Sequence, residues 1–168
     1  MNLVNLIDSH LLEDEQVNTL YETSPFKTIR NLPTATKGKR YEQITHNVLS
    51  KMGYEVELSH SNEFDRYVDG SRVELKGSTL AADMKFKFHQ IRLDDEYDEL
   101  VVACFWPLDL RLFKIKKEDI WMSGMVASDH GGGRSNTRMI KLIGDPSDCQ
   151  YFTEVRSKVN SPIKGALK

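Results

Sequence analysis

Apolar positions recur along the chain with two periods. Over 3–21, Leu3, Leu6, Ile7, Leu11, Val17, Leu20 and Tyr21 fall at helical spacing, which predicts one or two amphipathic helices. SPFKTIRNLPTATKGK holds two prolines and several small polar residues, so a connector is expected there. From Lys39 to Met52, the positions Tyr41, Ile44, Val48, Leu49 and Met52 again suit a helix, capped by Gly53. The period then changes to two. YEVEL (54–58) alternates like a strand, and DRYV and SRVELK flank Asp69-Gly70, a strong hairpin signal. MKFKFHQI (84–91) alternates apolar with basic residues and is expected to be extended, its aromatics in the core. LVVACFW (100–106) is almost continuously apolar, as a central strand covered on both faces would be, and Pro107 ends it. RLFKI (111–115) is expected beside it, KKEDIW as a short helix and TRMIKLI (137–143) as a late strand. This order predicts an α/β or α+β sheet with helices packed on it.

The hairpin permits a geometric expectation. With a two-residue turn at Asp69-Gly70, Val68 opposes Ser71, Tyr67 opposes Arg72, Arg66 opposes Val73 and Asp65 opposes Glu74. Alternation then places Phe64, Val68, Val73 and Leu75 on one face and Asp65, Tyr67, Arg72, Glu74 and Lys76 on the other. Two carboxylates directly across a strand pair repel unless a cation neutralises them. A hard divalent ion such as Mg2+, which takes one or two carboxylates and keeps several waters, would do so. The simpler alternative is a surface hairpin on which Arg72 and Lys76 form ordinary ion pairs with the two acids.

At 168 residues, 39% hydrophobic and 29% charged, the chain has the make-up of one globular domain rather than a disordered segment. No apolar run approaches the roughly 18–20 residues that span a membrane. The acidic start MNLVNLIDSHLLEDE lacks the form of a signal peptide, so a cytoplasmic protein is expected. Cys104 and Cys149 form no C-x-x-C pair, which argues against a zinc or redox motif, and Cys104 is expected to be a core thiol. The net charge of −2 is unevenly spread. Residues 1–26 carry five acids and no Lys or Arg, whereas 111–168 carry eleven Lys or Arg against six acids. A basic half of that kind can lie along phosphates.

FDRYVDGSRVELKGS resembles the core of the PD-(D/E)xK nuclease superfamily, in which an Asp on one strand and Glu-x-Lys on the next form the active site. Asp65 matches the Asp, and Glu74 and Lys76 the Glu-x-Lys. Phe64 stands where the motif has proline. KGKRYEQITHNVLSKMGYEVE is similar to the family's opening helix, and Glu42 matches its further acidic residue; the alternative for Glu42 is a solvated helix face paired with His46. FKFHQIRLDDEYDELVVACFWPLDLRLFKIKKEDI and DHGGGRSNT resemble segments of some type II restriction enzymes, so the resemblance spans roughly residues 37–145. It implies a restriction-endonuclease-like mixed central β-sheet flanked by helices, and a Mg2+-dependent endonuclease cutting double-stranded DNA. Asp65, Glu74, the carbonyl of Leu75 and Glu42 would hold the metal, and Lys76 would orient the attacking water. A restriction enzyme, a structure- or damage-directed nuclease of the same superfamily and a non-catalytic DNA-binding module all remain open. Cutting both strands implies a homodimer or one subunit of a heterodimer.

The expected layout is a single nuclease domain: a helical extension and connector over 1–36, a catalytic core over 37–145 and a basic tail over 146–168. The first 25 residues are the candidate subunit contact. Lys85, Lys87, Gln90 and Arg92 are candidates for touching DNA. So are His130, Arg134 and Asn136 of the glycine-rich loop, since Arg and Asn are the usual readers of guanine and adenine. Arg156, Lys158, Lys164 and Lys168 form a tail expected to be solvated, and Trp106 and Trp121 are expected in the core.

Overall fold

The computed structural model describes residues 18–123, 126–128 and 137–159. In chain order its elements are α1 (Lys27–Arg30), α2 (Thr34–Lys51), β1 (Val56–Leu58), β2 (Arg66–Val68), β3 (Ser71–Thr79), β4 (Lys85–Arg92), β5 (Glu99–Phe105), β6 (Leu110–Lys116), α3 (Asp119–Met122), β7 (Val126–Ser128), β8 (Thr137–Ile143), a 3₁₀ turn at Pro146–Asp148 and β9 (Thr153–Glu154). Six strands form a mixed sheet in the order β1-β2-β3-β5-β6-β9, in which β3 and β5 run parallel and the other pairs antiparallel. β4, β8 and β7 form a second, antiparallel sheet. The chain is therefore a mixed α/β protein with a central, mostly antiparallel sheet.

Burial on both faces explains why β5 is a continuous apolar run. Val101, Ala103 and Phe105 join Val73, Leu75, Tyr41, Leu49 and Ile29 beneath α2. Leu100, Val102 and Cys104 join Phe86, Phe88, Ile91, Ile140 and Leu142 of the second sheet. Each fully buried aliphatic or aromatic side chain adds about 1.5–3 kcal/mol, so β5 is the element on which both layers depend. Cys104 is the core thiol expected, and Phe86 and Phe88 are core aromatics.

The hairpin forms with the expected register. Val68 pairs with Ser71, Tyr67 with Arg72 and Arg66 with Val73. Asp69 and Gly70 have φ of 48° and 81°, the left-handed pair that a tight primed turn requires. The hairpin lies at one end of the large sheet, with β1 outside it.

Several expectations need correction. α2 begins at Thr34 rather than Lys39, directly after Pro33, and the expected connector contains α1. A proline just before the first helical residue costs no hydrogen bond, so it starts the helix instead of delaying it. Phe64 is buried, but with Leu100 and Val102 rather than with Val68, Val73 and Leu75. The ladder ends at Arg66, so strict alternation does not extend back to Phe64. The described part of the basic tail is not loose chain. Thr153 and Glu154 add a strand to β6, Phe152 and Val155 are buried, and Arg111 bridges Asp145 at 2.6 Å and Glu154 at 2.7 Å. Lys158 pairs with Asp69 at 2.5 Å. Trp121 is 57% exposed rather than core, while Trp106 packs partly buried against Phe86. Residues 1–17, 129–136 and 160–168, hence most of the predicted N-terminal helix, His130, Arg134, Asn136, Lys164 and Lys168, lie outside the described residues; 18–22 are helical.

The helical segment 18–22 is fastened to the sheet through Tyr21. Its hydroxyl donates to the Phe105 carbonyl at 2.5 Å and accepts from the Leu80 amide at 3.0 Å, joining the ends of β3 and β5. The Arg30 guanidinium lies 4.6 Å from the centre of the Tyr21 ring. Tyr21→Phe keeps the ring and removes the hydroxyl shared by two buried backbone groups, the Leu80 amide and the Phe105 carbonyl, which stay bonded to each other at 3.1 Å. It is expected to cost about 0.5–1.5 kcal/mol, read as a lower urea midpoint at unchanged slope.

Candidate active site

Asp65 sits one residue before the β2–β3 ladder. Its amide donates to the Val73 carbonyl at 3.1 Å, and its Oδ2 accepts from the Leu75 amide at 2.8 Å. β2 ends its pairing at Val73, so beyond that point the Asp65 carboxylate takes the place of the missing strand along β3. Asp65 and Glu74 do come together, but the meeting is not the cross-strand pair expected from the register. Glu74 and Lys76 project from the opposite face to Val73 and Leu75. The Glu74 carboxylate is a close electrostatic neighbour of Asp65 and accepts from Lys76 Nζ at 2.5 Å. Both side chains are largely sheltered, Lys76 at 20% and Glu74 at 12% exposure.

The electrostatics follow from this crowding. Burial is the main force on Glu74, and the Asp65 charge adds to it; Lys76 opposes both, and the carboxyl is pushed up to about 7. Burial works against the Lys76 ammonium, but Glu74, Asp65 and Glu42 outweigh it and hold its pKa above the ordinary lysine range. Glu42, on α2, is raised first by burial and then by Asp65, with Lys76 and Arg66 opposing. Three acids thus share one buried ammonium and are short of positive charge. Tyr97 is a further buried neighbour of Glu74. Its hydroxyl is buried without a hydrogen-bond partner among the described residues, and burial followed by the Glu74 charge holds the phenol well above its usual range.

Of the group, Glu42 and Lys76 line a cleft of about 530 Å3 between the start of α2, β3 and β4, together with Leu75. Lys37, Lys39, Glu42, Lys76, Lys87, His89 and Gln90 are among its lining residues. A bulge in β4 between Phe88 and Ile91 brings two of these there. Gln90 takes φ of 56°, so His89 and Gln90 both face outward while Ile91 returns to the core. Lys87 pairs with Asp83 at 2.9 Å and Lys85 with the same acid at 3.5 Å; Lys85 is not among the residues lining the cleft. Arg92 is turned to Asp95 at 3.3 Å, with its Nε buried and unpartnered among the described residues. Arg72, grouped with the acids by the hairpin pattern, instead clamps Asp98 at 2.7 Å and Glu96 at 3.3 Å.

Among the described residues no three His, Cys, Asp or Glu side chains form a ready-made metal cage. The donors present are two neighbouring carboxylates and a strand edge. A residue's amide and carbonyl leave a strand on the same side, so the Leu75 carbonyl opens toward the edge where its amide meets Asp65. Two carboxylates and one carbonyl suit an ion that retains several waters, as Mg2+ does, and not one that demands a full protein shell. Sequence reasoning missed Gly77, Tyr41, Arg66 and Lys39; nothing local marks them, because each matters through a contact with another element.

No family model matches the chain, and no curated protein matches it. Among solved structures it is similar to a bacterial homing endonuclease, I-Ssp6803I, with 16% identity and a TM-score of 0.45 over 67% of this chain and 77% of that one. At that level of likeness, any functional reading has to rest on the site itself.

Proposed function

We propose that the chain is a Mg2+-dependent DNA endonuclease of the restriction-enzyme type. The observation that carries this reading is the pair of neighbouring carboxylates, Asp65 and Glu74, with the Lys76 ammonium bonded to Glu74 and itself lining a cleft shared with Lys37, Lys39 and Lys87. The resemblance of FDRYVDGSRVELKGS to the PD-(D/E)xK core supports it. Asp65, Glu74 and the Leu75 carbonyl would hold Mg2+, with Glu42 adding negative charge from α2. The ion would polarise the scissile phosphate and acidify a bound water.

The chain's own groups supply the rest. Lys76 holds the attacking water in line with the leaving 3′ oxygen and offsets charge gathering on the phosphate. Water adds to phosphorus, the bond to the 3′ oxygen breaks, and the 5′ phosphate remains on the other fragment. Lys37, Lys39 and Lys87 along the cleft suit phosphates on either side, with His89 and Gln90 nearer to bases. Cutting both strands takes two such sites, hence a homodimer or a heterodimer subunit.

Plasmid digestion with and without Mg2+, followed by end sequencing, tests this. Discrete fragments identify sequence-specific cleavage, and cutting confined to branched or damaged DNA identifies a structure-directed enzyme. Salt-sensitive binding without any cutting would reduce the protein to a binding module.

A second measurement needs no DNA. Glu74 titrates higher in the folded chain, about 7 against an ordinary 4.5, so the folded state binds more protons between those values. Stability contributed by the retained proton therefore falls as pH rises through that window. Mg2+ replaces the proton, so it is expected to raise the melting temperature at pH 8 by roughly 5–10 °C when well above its Kd, and by much less at pH 5.5. Equal shifts at the two pH values would refute a site built on Glu74.

A further inference from the structure

Asp65 stands outside the β2–β3 ladder, so strand pairing alone does not fix it. A second device is present. The Arg66 guanidinium donates through Nη1 to the Asp65 carbonyl at 2.6 Å and through Nε to His46 Nδ1 at 3.2 Å. His46 lies on α2, one turn after Glu42, and its accepting Nδ1 leaves the ring proton on Nε2. One half-buried fork thus ties the helix that carries Glu42 to the main chain that carries Asp65.

We infer that Arg66 and His46 are positioning residues: together they set the Asp65 carboxylate against the Leu75 edge of β3 and hold α2 at its distance from that edge. Neither touches the reacting atoms. The inference rests on the nuclease reading only for its effect on cleavage; the placement of Asp65 stands apart from it. Two features of the chemistry make the role specific. Arg66 must bond two acceptors in different directions at once, which a planar guanidinium does and a lysine ammonium on a flexible stem does not. His46 must offer an acceptor at Nδ1, a position that an asparagine oxygen also reaches.

Backbone hydrogen exchange at the Leu75 amide reads the placement directly, because that amide is held by Asp65 Oδ2. At pH 8, Arg66→Lys and His46→Ala are expected to speed Leu75 exchange about tenfold relative to amides of β5, while His46→Asn stays close to the parent. With Mg2+ and saturating DNA, the first two variants should cut about tenfold more slowly at unchanged DNA affinity, and His46→Asn should cut normally. A purely electrostatic Arg66 predicts the opposite for Arg66→Lys, with charge, amide protection and rate all kept, and that result overturns the inference. So does a protected Leu75 amide in His46→Ala. If the amide loses protection as expected but even the parent chain never cuts DNA, the positioning role stands and the nuclease reading falls. Arg66→Lys and the His46 pair are independent variants, so failure of one to fold leaves the other decisive.

Discussion

Gly77→Ala is expected to destabilise the protein by about 3 kcal/mol or more, the upper end of what overpacking a core costs. A Cβ built on Gly77 would lie 2.3 Å from Tyr41 Cγ and 2.5 Å from Tyr41 Cβ. Those atoms are at the root of the side chain, so no rotamer change clears them; α2 itself has to move. It has no free direction. The Tyr41 ring is buried against Phe105 at 5.0 Å, and Phe26 packs on the same Phe105 ring at 5.2 Å. Conformation is not what demands glycine here, since Gly77 has an ordinary strand φ and is in register with Ala103 of β5. Closeness demands it: the helix meets the sheet at the residue after Lys76. For a chain of this size the loss corresponds to roughly 6–12 °C in melting temperature. Lifting α2 also carries Glu42 away from Asp65 and Lys76, so residual cleavage should fall further than the unfolded fraction explains. Pairing Gly77→Ala with Tyr41→Gly removes both clashing atoms and should give a strongly non-additive cycle. Additive losses would show that the close approach is not the cause.

The parts of the fold legible in the sequence are those fixed by local rules. Asp69-Gly70 sets the hairpin because few residues accept two consecutive positive φ values, and the register then follows by counting. β5 is legible because burial on both faces leaves no polar position to interrupt the run. The second sheet is not legible in this way. β4 and β8 pair across some fifty residues of chain, and nothing in KFKFHQIR or TRMIKLI names its partner or announces the bulge at Phe88 and Ile91. The start of α2 was obscured by TATKGK, whose threonines and glycine are poor helix formers. Packing of Tyr41 and Leu49 over the sheet overrides them.

The site shows the same division. Asp65, Glu74 and Lys76 are named by their spacing around the turn, and the structure brings their side chains together. The manner of the meeting was hidden: the residue expected to continue the ladder leaves it and spends its carboxylate on the Leu75 amide. Arg66 and His46 went unrecognised because their contact joins two elements, and a lone His beside an Asn carries no local signal. The bland alternative for the hairpin also changes form. Arg72 does make ordinary exposed ion pairs, with Asp98 and Glu96, whereas the Lys76–Glu74 pair is sheltered and shared with a second acid. Exposed pairs are worth little; in the sheltered cluster the excess negative charge is relieved by holding a proton on Glu74.

That imbalance makes Lys76→Ala the most revealing change at the site. Its ammonium now occupies a Glu74 oxygen and faces Asp65 and Glu42 as well. Removing it takes away the cation that the acids share, and breaking a buried pair costs up to about 3–5 kcal/mol when the partner stays charged. Glu74, pushed up to about 7 even with Lys76 opposing the rise, goes higher without it and escapes most of that cost below neutral pH by keeping its proton. The variant should therefore match the parent in stability at pH 5.5 and melt well below it at pH 8 without Mg2+. Adding Mg2+ at pH 8 should restore much of the difference, because the ion no longer competes with an ammonium for Glu74. Metal affinity then rises, or at least holds, while cleavage drops by about 10²–10³-fold, the usual loss when a group stabilising charge at the reacting atoms is removed. DNA affinity should stay near the parent's, since the cleft keeps Lys37, Lys39 and Lys87, the lysines proposed to meet phosphate. Asp65→Asn separates the two roles from the other side: it should lose metal affinity and cleavage together. Calorimetric Mg2+ titration beside single-turnover cleavage reads both variants. A Lys76→Ala protein that binds Mg2+ more weakly than the parent would make the lysine a prop for the metal site rather than the group acting on water, and one that cuts at the parent rate would remove it from the chemistry.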